Sequence, residues 1–240
     1  MHNFVFIQSD GVGYNSKDFN IVINKKPSLI KPKKDIEHVE VVGRNGSLTI
    51  DRKGYFDIPL PYTCTILPSD TCCDCNNTNS IIDNSELINE WLEGSGTLIM
   101  SHLPQYEYKV KDVQFEGIDI DGSTGHFEVV FICEPFRYLP LETINLTKGT
   151  HEIINPSRLE SQPILTVYGT GTVSVVINNK AIKVDNVSEY VTIDSVMFEC
   201  YEENKNLNNY MTGDYPVFKR GKNIIKLESN GTVEVQWKYK

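Results

Sequence analysis

Residues 224–239 read Ile-Ile-Lys-Leu-Glu-Ser-Asn-Gly-Thr-Val-Glu-Val-Gln-Trp-Lys-Tyr, a stretch whose pattern predicts β-structure. Polar and apolar side chains alternate from Thr232 to Tyr239, as expected for a strand with one buried and one solvent-exposed face. Asn230 and Gly231 separate this strand from residues 224–227, and an Asn-Gly pair between two such runs favours a type I′ hairpin. The stretch therefore predicts antiparallel strands that share a core.

Similar runs recur along the chain and are separated by short turn-forming pairs. These pairs are Asn45-Gly46 between residues 38–42 and 47–50, Asp121-Gly122 between residues 113–120 and 126–133, and Asn178-Asn179 between residues 173–177 and 181–184. Such residues tolerate the positive φ that tight hairpin turns require. The sequence thus predicts an all-β chain built from antiparallel sheets.

One segment, residues 85–94, has a helical pattern. Asn84 or Ser85 is a suitable N-cap, and Gly94 is a suitable stop signal. The apolar residues of the segment fall on one stripe and are Leu87, Ile88, Trp91 and Leu92. We therefore expect one short helix that places its tryptophan on a sheet.

The composition is that of a folded chain, because 40% of the 240 residues are hydrophobic and 23% are charged. The formal net charge of −9 argues against nucleic acid as a partner. No apolar run reaches the roughly 18 residues of a membrane-spanning helix, and the first eight residues lack the features of a signal peptide. The six cysteines are therefore interpreted as reduced thiols. They are Cys64, Cys72, Cys73, Cys75, Cys133 and Cys200.

A domain boundary is predicted near residue 140. Pro135 and Pro140 interrupt the strand pattern of residues 127–131, and strand pairing is expected to resume only after Pro163, with residues 164–168. The prediction is a first domain over residues 1–139, a sheet structure with one helix, and a second over residues 140–240, an all-β sandwich.

The residues that could carry chemistry give no catalytic, cofactor or metal site. Three thiols in residues 70–75 could supply part of a zinc site that Cys64 or His102 would complete, but a polar loop is the favoured interpretation. The acidic pairs Asp119 and Asp121, and Glu202 and Glu203, are interpreted as solvated, although two carboxylates could also serve a glycosidase. The five histidines fall in no known motif and are His2, His38, His102, His126 and His151. Two glycine segments, residues 11–13 and 169–172, are expected to form turns rather than phosphate loops.

Two further groups of residues suggest binding. Aromatic side chains in the second domain could stack on a sugar ring, although core or edge packing is the favoured interpretation. They are Tyr201, Tyr210, Tyr215 and Phe218. Lysines between residues 25 and 34 form a basic segment in an otherwise acidic chain and are Lys25, Lys26, Lys31, Lys33 and Lys34. We expect this segment either to keep its loop solvated or to contact an acidic neighbouring subunit.

Several segments, taken in order, resemble the distal tail protein (Dit) family of siphophages, the long-tailed non-contractile bacteriophages. In the first domain they are residues 42–48, the Trp91-Leu92 helix with Gly96-Thr97-Leu98, and residues 127–138. In the second domain they are Asn155-Pro156, residues 161–171, residues 192–195 and residues 219–225. The resemblance extends from about residue 40 to residue 240, whereas residues 72–75 match no feature of the family.

The resemblance implies a structural protein without an active site. It implies an N-terminal β-sandwich with one helix and a belt-like hairpin, and a C-terminal sandwich that is galectin-like or resembles a carbohydrate-binding module. It also implies a hexameric ring at the virion tail tip or baseplate, assembled in the host cytoplasm, between the tail tube protein and a tail-associated lysin or tail fibre protein. The alternative function is a carbohydrate-binding module for adsorption to host cell-wall polysaccharide.

Overall fold

The computed structural model describes residues 2–68 and 77–240, without the side chains of residues 77–81 and 83. The chain divides into two compact units, Met1–Arg137 with Lys240, and Tyr138–Tyr239. The predicted all-β class is confirmed, since strands dominate both units. No helix in the described part of the chain is long and apolar enough to span a membrane. Cys72, Cys73 and Cys75 lie outside the described residues, and so does the metal site considered there.

The strands of the first unit are β1 (Phe4–Gln8), β2 (Gly13–Asn15), β3 (Ile21–Lys25), β4 (Lys34–Val39), β5 (Leu48–Tyr55), β6 (Ile58–Ile66), β7 (Gly96–Met100), β8 (Glu107–Phe115), β9 (Asp119–Asp121) and β10 (Thr124–Tyr138). Seven of them form one sheet in the order β2-β1-β7-β8-β10-β6-β3, and β9 pairs with β10. Strands β4 and β5 pair only with each other, as a separate two-stranded ribbon.

Helix α1 (Asn77–Trp91) begins eight residues before the predicted start at Ser85. The predicted caps therefore lie inside the helix, where the Ser85 hydroxyl donates to the carbonyl of Ile82 at 2.6 Å. The end agrees better with prediction, because Gly94 has a φ of +74° just after the last turn.

The C-terminal turn of α1 anchors the core of the first unit. Trp91 is buried, as predicted, and its ring stacks on Phe4 and Phe19 with centroid distances of 5.6 and 5.2 Å. Its indole N–H donates to the carbonyl of Phe6 at 2.8 Å. Leu87 was expected in the apolar stripe, but it is half exposed on the outer side of the helix.

Strand β10 shows that Pro135 does not interrupt the strand, which corrects the prediction. The strand continues to Tyr138, whereas its ladder with β6 ends at the pair Cys133 and Ile58. Pro135 lies beyond that ladder, so its missing N–H removes no bond from it.

The strands of the second unit are β11 (Glu142–Leu146), β12 (Gly149–Asn155), β13 (Ile164–Tyr168), β14 (Gly171–Ile177), β15 (Lys180–Val187), β16 (Tyr190–Asp194), β17 (Glu199–Glu202), β18 (Lys205–Asn206), β19 (Met211–Thr212), β20 (Gly221–Leu227), β21 (Gly231–Val235) and β22 (Lys238–Tyr239). One sheet has the order β11-β21-β13-β16-β17-β18, and the other has the order β12-β20-β14-β15-β19. Their inner faces enclose one hydrophobic core.

Strands β11 and β12 lie where no pairing was expected before Pro163. Strand β13 does begin at Ile164, but β11 pairs with β21 and β12 with β20. Both partners come from the last twenty residues of the chain, so the pattern of residues 142–155 alone gave little indication of these pairs.

The turn at Asn230 and Gly231 is not a hairpin, although the sequence predicted one. Strands β20 and β21 belong to different sheets, and neither turn residue has a positive φ. Glycine is required at position 231 for another reason, because a Cβ there would lie 2.7 Å from the carbonyl oxygen of Thr166. The turn therefore carries the chain from one sheet to the other.

The other three predicted hairpins are present. Asn178 and Asn179 have φ values of 49° and 66° and connect β14 to β15 in the predicted two-residue turn. The turn between β9 and β10 is Gly122-Ser123, one residue later than predicted. Strands β4 and β5 are joined by residues 40–47 rather than by Asn45-Gly46 alone, because Val39 pairs with Leu48.

Candidate interaction surfaces

The acidic residues considered for catalysis differ in exposure. Asp119 and Asp121 are exposed on β9, as the solvated interpretation predicted. Among residues 2–68 and 77–240, no group of three His, Cys, Asp or Glu side chains is placed to hold a metal ion. The two glycine segments lie in turns, where Gly11 and Gly171 have positive φ.

Glu202 is a structural acid rather than a solvated one, which corrects the prediction. Its carboxylate accepts hydrogen bonds from the backbone N–H groups of Glu189 at 2.7 Å and Ser188 at 3.1 Å. These bonds, led by that of Glu189, hold the pKa of Glu202 below its ordinary value. The carboxylate thus fastens β17 to the turn before β16, while Glu203 is exposed.

The described cysteines are free thiols buried in the two cores. Burial raises the pKa of Cys64 and of Cys133 to about 12 and that of Cys200 to about 11. These thiols are therefore protonated and unreactive at neutral pH.

The hairpin of β4 and β5, with the connecting residues 40–47, is largely exposed and is called the arm here. Its base is closed by a hydrogen bond from the N–H of Phe56 to the carbonyl of Lys33 at 2.9 Å. Strand β4 has six residues, which at about 3.3 Å per residue extends the arm roughly 20 Å from this base. Val42 lies at the end of the arm and is fully exposed.

The two faces of the arm differ in polarity. Opposite residues of an antiparallel pair share a face, so Val39, Leu48 and Ile50 form a mainly apolar face on which Glu37 also lies, opposite Ile50. The other face carries His38 and Thr49, together with Ile36. Leu48 and Ile50 are 40% and 41% exposed, so this apolar face is largely uncovered. A two-stranded hairpin is only marginally stable alone, and the arm has a face suited to packing on another surface.

A basic strip, residues 26–33, leads from β3 to the base of the arm. Pro27 and Pro32 are buried and anchor it, while Leu29 and Lys31 are exposed. The strip forms one wall of a cavity of about 290 Å³ whose other lining residues are Ile58, Tyr108, Pro135, Arg137 and Lys240. No carboxylate occurs among the described residues that line this cavity.

An acidic groove of about 840 Å³ lies on the outer face of the sheet of the first unit. Its charged side chains are Glu116, Asp119 and Glu128, which come from the β8–β9 connection, β9 and β10. The described lining residues include no lysine or arginine, and Lys25 of β3 lies at the edge, in register with Thr63. His126 faces the groove and is held between the hydroxyls of Thr65 and Thr124.

In the second unit, the aromatic residues considered for sugar binding are not equivalent. Phe218 is fully buried in the core and cannot stack on a ligand, in agreement with the favoured interpretation of core packing. Tyr201 lines an open groove of about 330 Å³ with Glu199, Glu203, Asn204 and Asn206, among others. Tyr210 is exposed and does not line this groove, and the Tyr215 ring packs against Phe198.

Sequence reasoning found the basic strip but not the groove or the cavity. The side chains that line the groove and the cavity come from elements far apart in the chain. Within its own element each of these side chains is an isolated charged or apolar residue, so the local sequence gives no sign of a shared surface. The alternation in residues 126–130 was the available signal, since it places His126 and Glu128 on the face away from the core.

The fold of this chain, two β-units of which the first bears the arm and the second is a two-sheet sandwich, is similar to that of solved phage tail and baseplate proteins. The solved structure of the SPP1 Dit (gp 19.1) protein, described as a paradigm of the hub adsorption apparatus in phages that infect Gram-positive bacteria, matches with a TM-score of 0.76 and 14% identity over 100% of both chains. A chain of the phage P2 baseplate in its activated conformation with calcium matches with a TM-score of 0.50 and 9% identity, over 100% of this chain and 99% of that one.

These similarities confirm the resemblance to the Dit family at the level of the fold. No family model and no curated protein matches the sequence.

Proposed function

We propose that this chain is a structural, non-catalytic component of a phage tail tip that assembles into a hexameric ring of its own copies. The observation that carries the proposal is the arm, a projecting hairpin with an uncovered apolar face, on a chain whose fold matches a tail hub protein over its full length. A ring of copies would cover that face by packing it on the neighbouring subunit.

The proposal assigns different roles to the two predicted domains. Residues 1–139, with the arm, form the ring, and residues 140–240 form a galectin-like domain outside it. The ring joins the tail tube to the tail-associated lysin and receptor-binding apparatus, within the virion. Assembly in a reducing cytoplasm is compatible with the buried free thiols of Cys64, Cys133 and Cys200.

The oligomeric state of the purified chain tests this function. Light scattering after gel filtration, together with native mass spectrometry, should show six copies at micromolar concentration. A stable monomer under these conditions would count decisively against a ring. Mixing with the tail tube protein from the same phage should then give a larger complex, and no association would overturn the joining role.

A second candidate function, carbohydrate binding, is favoured by the groove that Tyr201 lines. A tyrosine beside the side-chain amides and carboxylates of Asn204, Asn206 and Glu203 combines a stacking surface with hydrogen-bonding partners for hydroxyl groups. Binding of the full chain to purified cell-wall polysaccharide, lost in Tyr201→Ala and kept in the exposed control Tyr210→Ala, would support this function. Equal binding of the polysaccharide by both variants would exclude this groove as the binding site.

A further inference from the structure

We propose that the acidic groove of the first unit is the docking site for the basic strip of a second copy of this chain. The inference rests on the proposed ring and specifies one contact between its subunits. It would place Lys31 and Lys33 of one copy against Glu116, Asp119 and Glu128 of the next.

Charge is the first argument. Three carboxylates line the groove, and the described lining residues include no lysine or arginine. Lys25 lies two strands away from Glu128, or about 10 Å. The chain as a whole carries a net charge of −9, so basic surfaces that could neutralise such a groove are scarce. The strip carries Lys26, Lys31 and Lys33 within eight residues. Lys31 has no ion-pair partner among the described residues.

Shape is the second argument. The groove volume of about 840 Å³ is that of a cleft which accepts an extended segment, and Ile118, Phe127 and Val130 give it an apolar floor. The strip offers Leu29, which is 63% exposed, between its lysines. Two buried prolines fix its backbone, so little conformational entropy is lost when it binds.

The third argument is that Lys31 and Lys33 lie far from the groove of their own subunit. Strand β6 places Thr63 at the groove and Ile58 beside the strip. These residues are five apart, or about 17 Å along the strand. Because Pro27 and Pro32 anchor the strip, Lys31 and Lys33 are held away from the groove of their own copy, and only a second copy can bring them to it. A contact between two different surfaces of identical chains is of the kind from which rings are built when the rotation between copies closes, as the proposed function requires.

Charge reversal tests the contact. The variants are Lys31→Glu with Lys33→Glu, Glu116→Lys with Glu128→Lys, and the combination of all four. Each double variant should raise the dissociation constant of the assembly by about tenfold or more, because like charges then face each other. A dilution series followed by analytical ultracentrifugation measures this constant. The combined variant should recover most of the loss. The matched control is Lys148→Glu with Lys226→Glu, two exposed lysines of the second unit, which should assemble like the wild type.

Cross-linking of the unmodified protein gives a second measurement that does not depend on variants folding. A carbodiimide should join Lys31 or Lys33 to Glu116, Asp119 or Glu128, and mixed isotope labelling should show that the link joins two copies. Wild-type rings without this link, together with reversed pairs that assemble as tightly as the wild type, would overturn the contact and leave the ring intact. A monomeric wild type would overturn both.

Discussion

At the residue scale, Trp91 connects the helix to the sheet of the first unit by packing and by a hydrogen bond. Trp91→Ala should lower the free energy of unfolding by about 3–5 kcal/mol, because the cavity between Phe4 and Phe19 cannot refill. Trp91→Phe keeps a ring but loses the bond to the Phe6 carbonyl, and we expect a loss of about 1–3 kcal/mol. Urea denaturation followed by circular dichroism measures both.

The control for Trp91 lies on the same helix. Leu87 is half exposed, so Leu87→Ala should change the stability by no more than about 0.5 kcal/mol. If Trp91→Ala lowered the free energy of unfolding no more than Leu87→Ala, the result would contradict the packing of α1 on the sheet.

Glu202 makes the stability of the second unit dependent on pH. Its pKa is lowered below the ordinary value of 4.5, so the stabilisation is complete above pH 4.5 and is lost as the pH falls through the lowered pKa. Glu202→Gln should therefore be less stable than the wild type at pH 7, and the difference should shrink as the solution is acidified.

Thermal unfolding at a series of pH values measures this difference. Glu203→Gln provides the comparison, since that carboxylate is exposed and should give a curve parallel to the wild type. A constant difference in melting temperature between Glu202→Gln and the wild type down to pH 2 would contradict this prediction. It would show that the hydrogen bonds from the backbone N–H groups of Ser188 and Glu189 do not depend on the charge of Glu202.

At the element scale, the arm should matter for assembly and not for folding. Leu48→Lys with Ile50→Lys places two charges on the apolar face, which is already open to water in a single subunit. We expect an unchanged melting temperature for the dissociated chain and a marked loss of rings in light scattering. Thr49→Lys, on the opposite face, should assemble normally. Normal assembly of the double variant would remove this face from the interface.

At the scale of the whole molecule, assembly should protect the end of the arm from proteolysis. Arg44 lies in the exposed connection between β4 and β5. Trypsin should cut after Arg44 quickly in dissociated subunits and much more slowly in rings, if the apolar face beside it is covered. Mass spectrometry of fragments at two protein concentrations measures this. Equal cleavage rates in rings and in single subunits would show that the arm stays free.

How far the sequence predicts the structure depends on how local each feature is. The Asn178-Asn179 turn was predictable because both residues adopt the positive φ that their type tolerates. The burial of Trp91 followed from a stripe within one helix. In contrast, Asn230-Gly231 has the same local appearance as a hairpin turn, and only the separation of β20 and β21 into two sheets decides its role.

The sequence by itself determined the all-β class, the helix ending near Gly94, the start of β13 after Pro163 and the existence of a basic strip, because periodicity, turn residues and charge act over a few neighbouring positions. Only the tertiary structure decided the pairing of β11 with β21, the buried hydrogen-bonded state of Glu202 and the convergence of Glu116, Asp119 and Glu128 on one groove. These features depend on strands that are distant in the chain, and the free energy that brings such strands together comes from burying a shared core rather than from any local pattern.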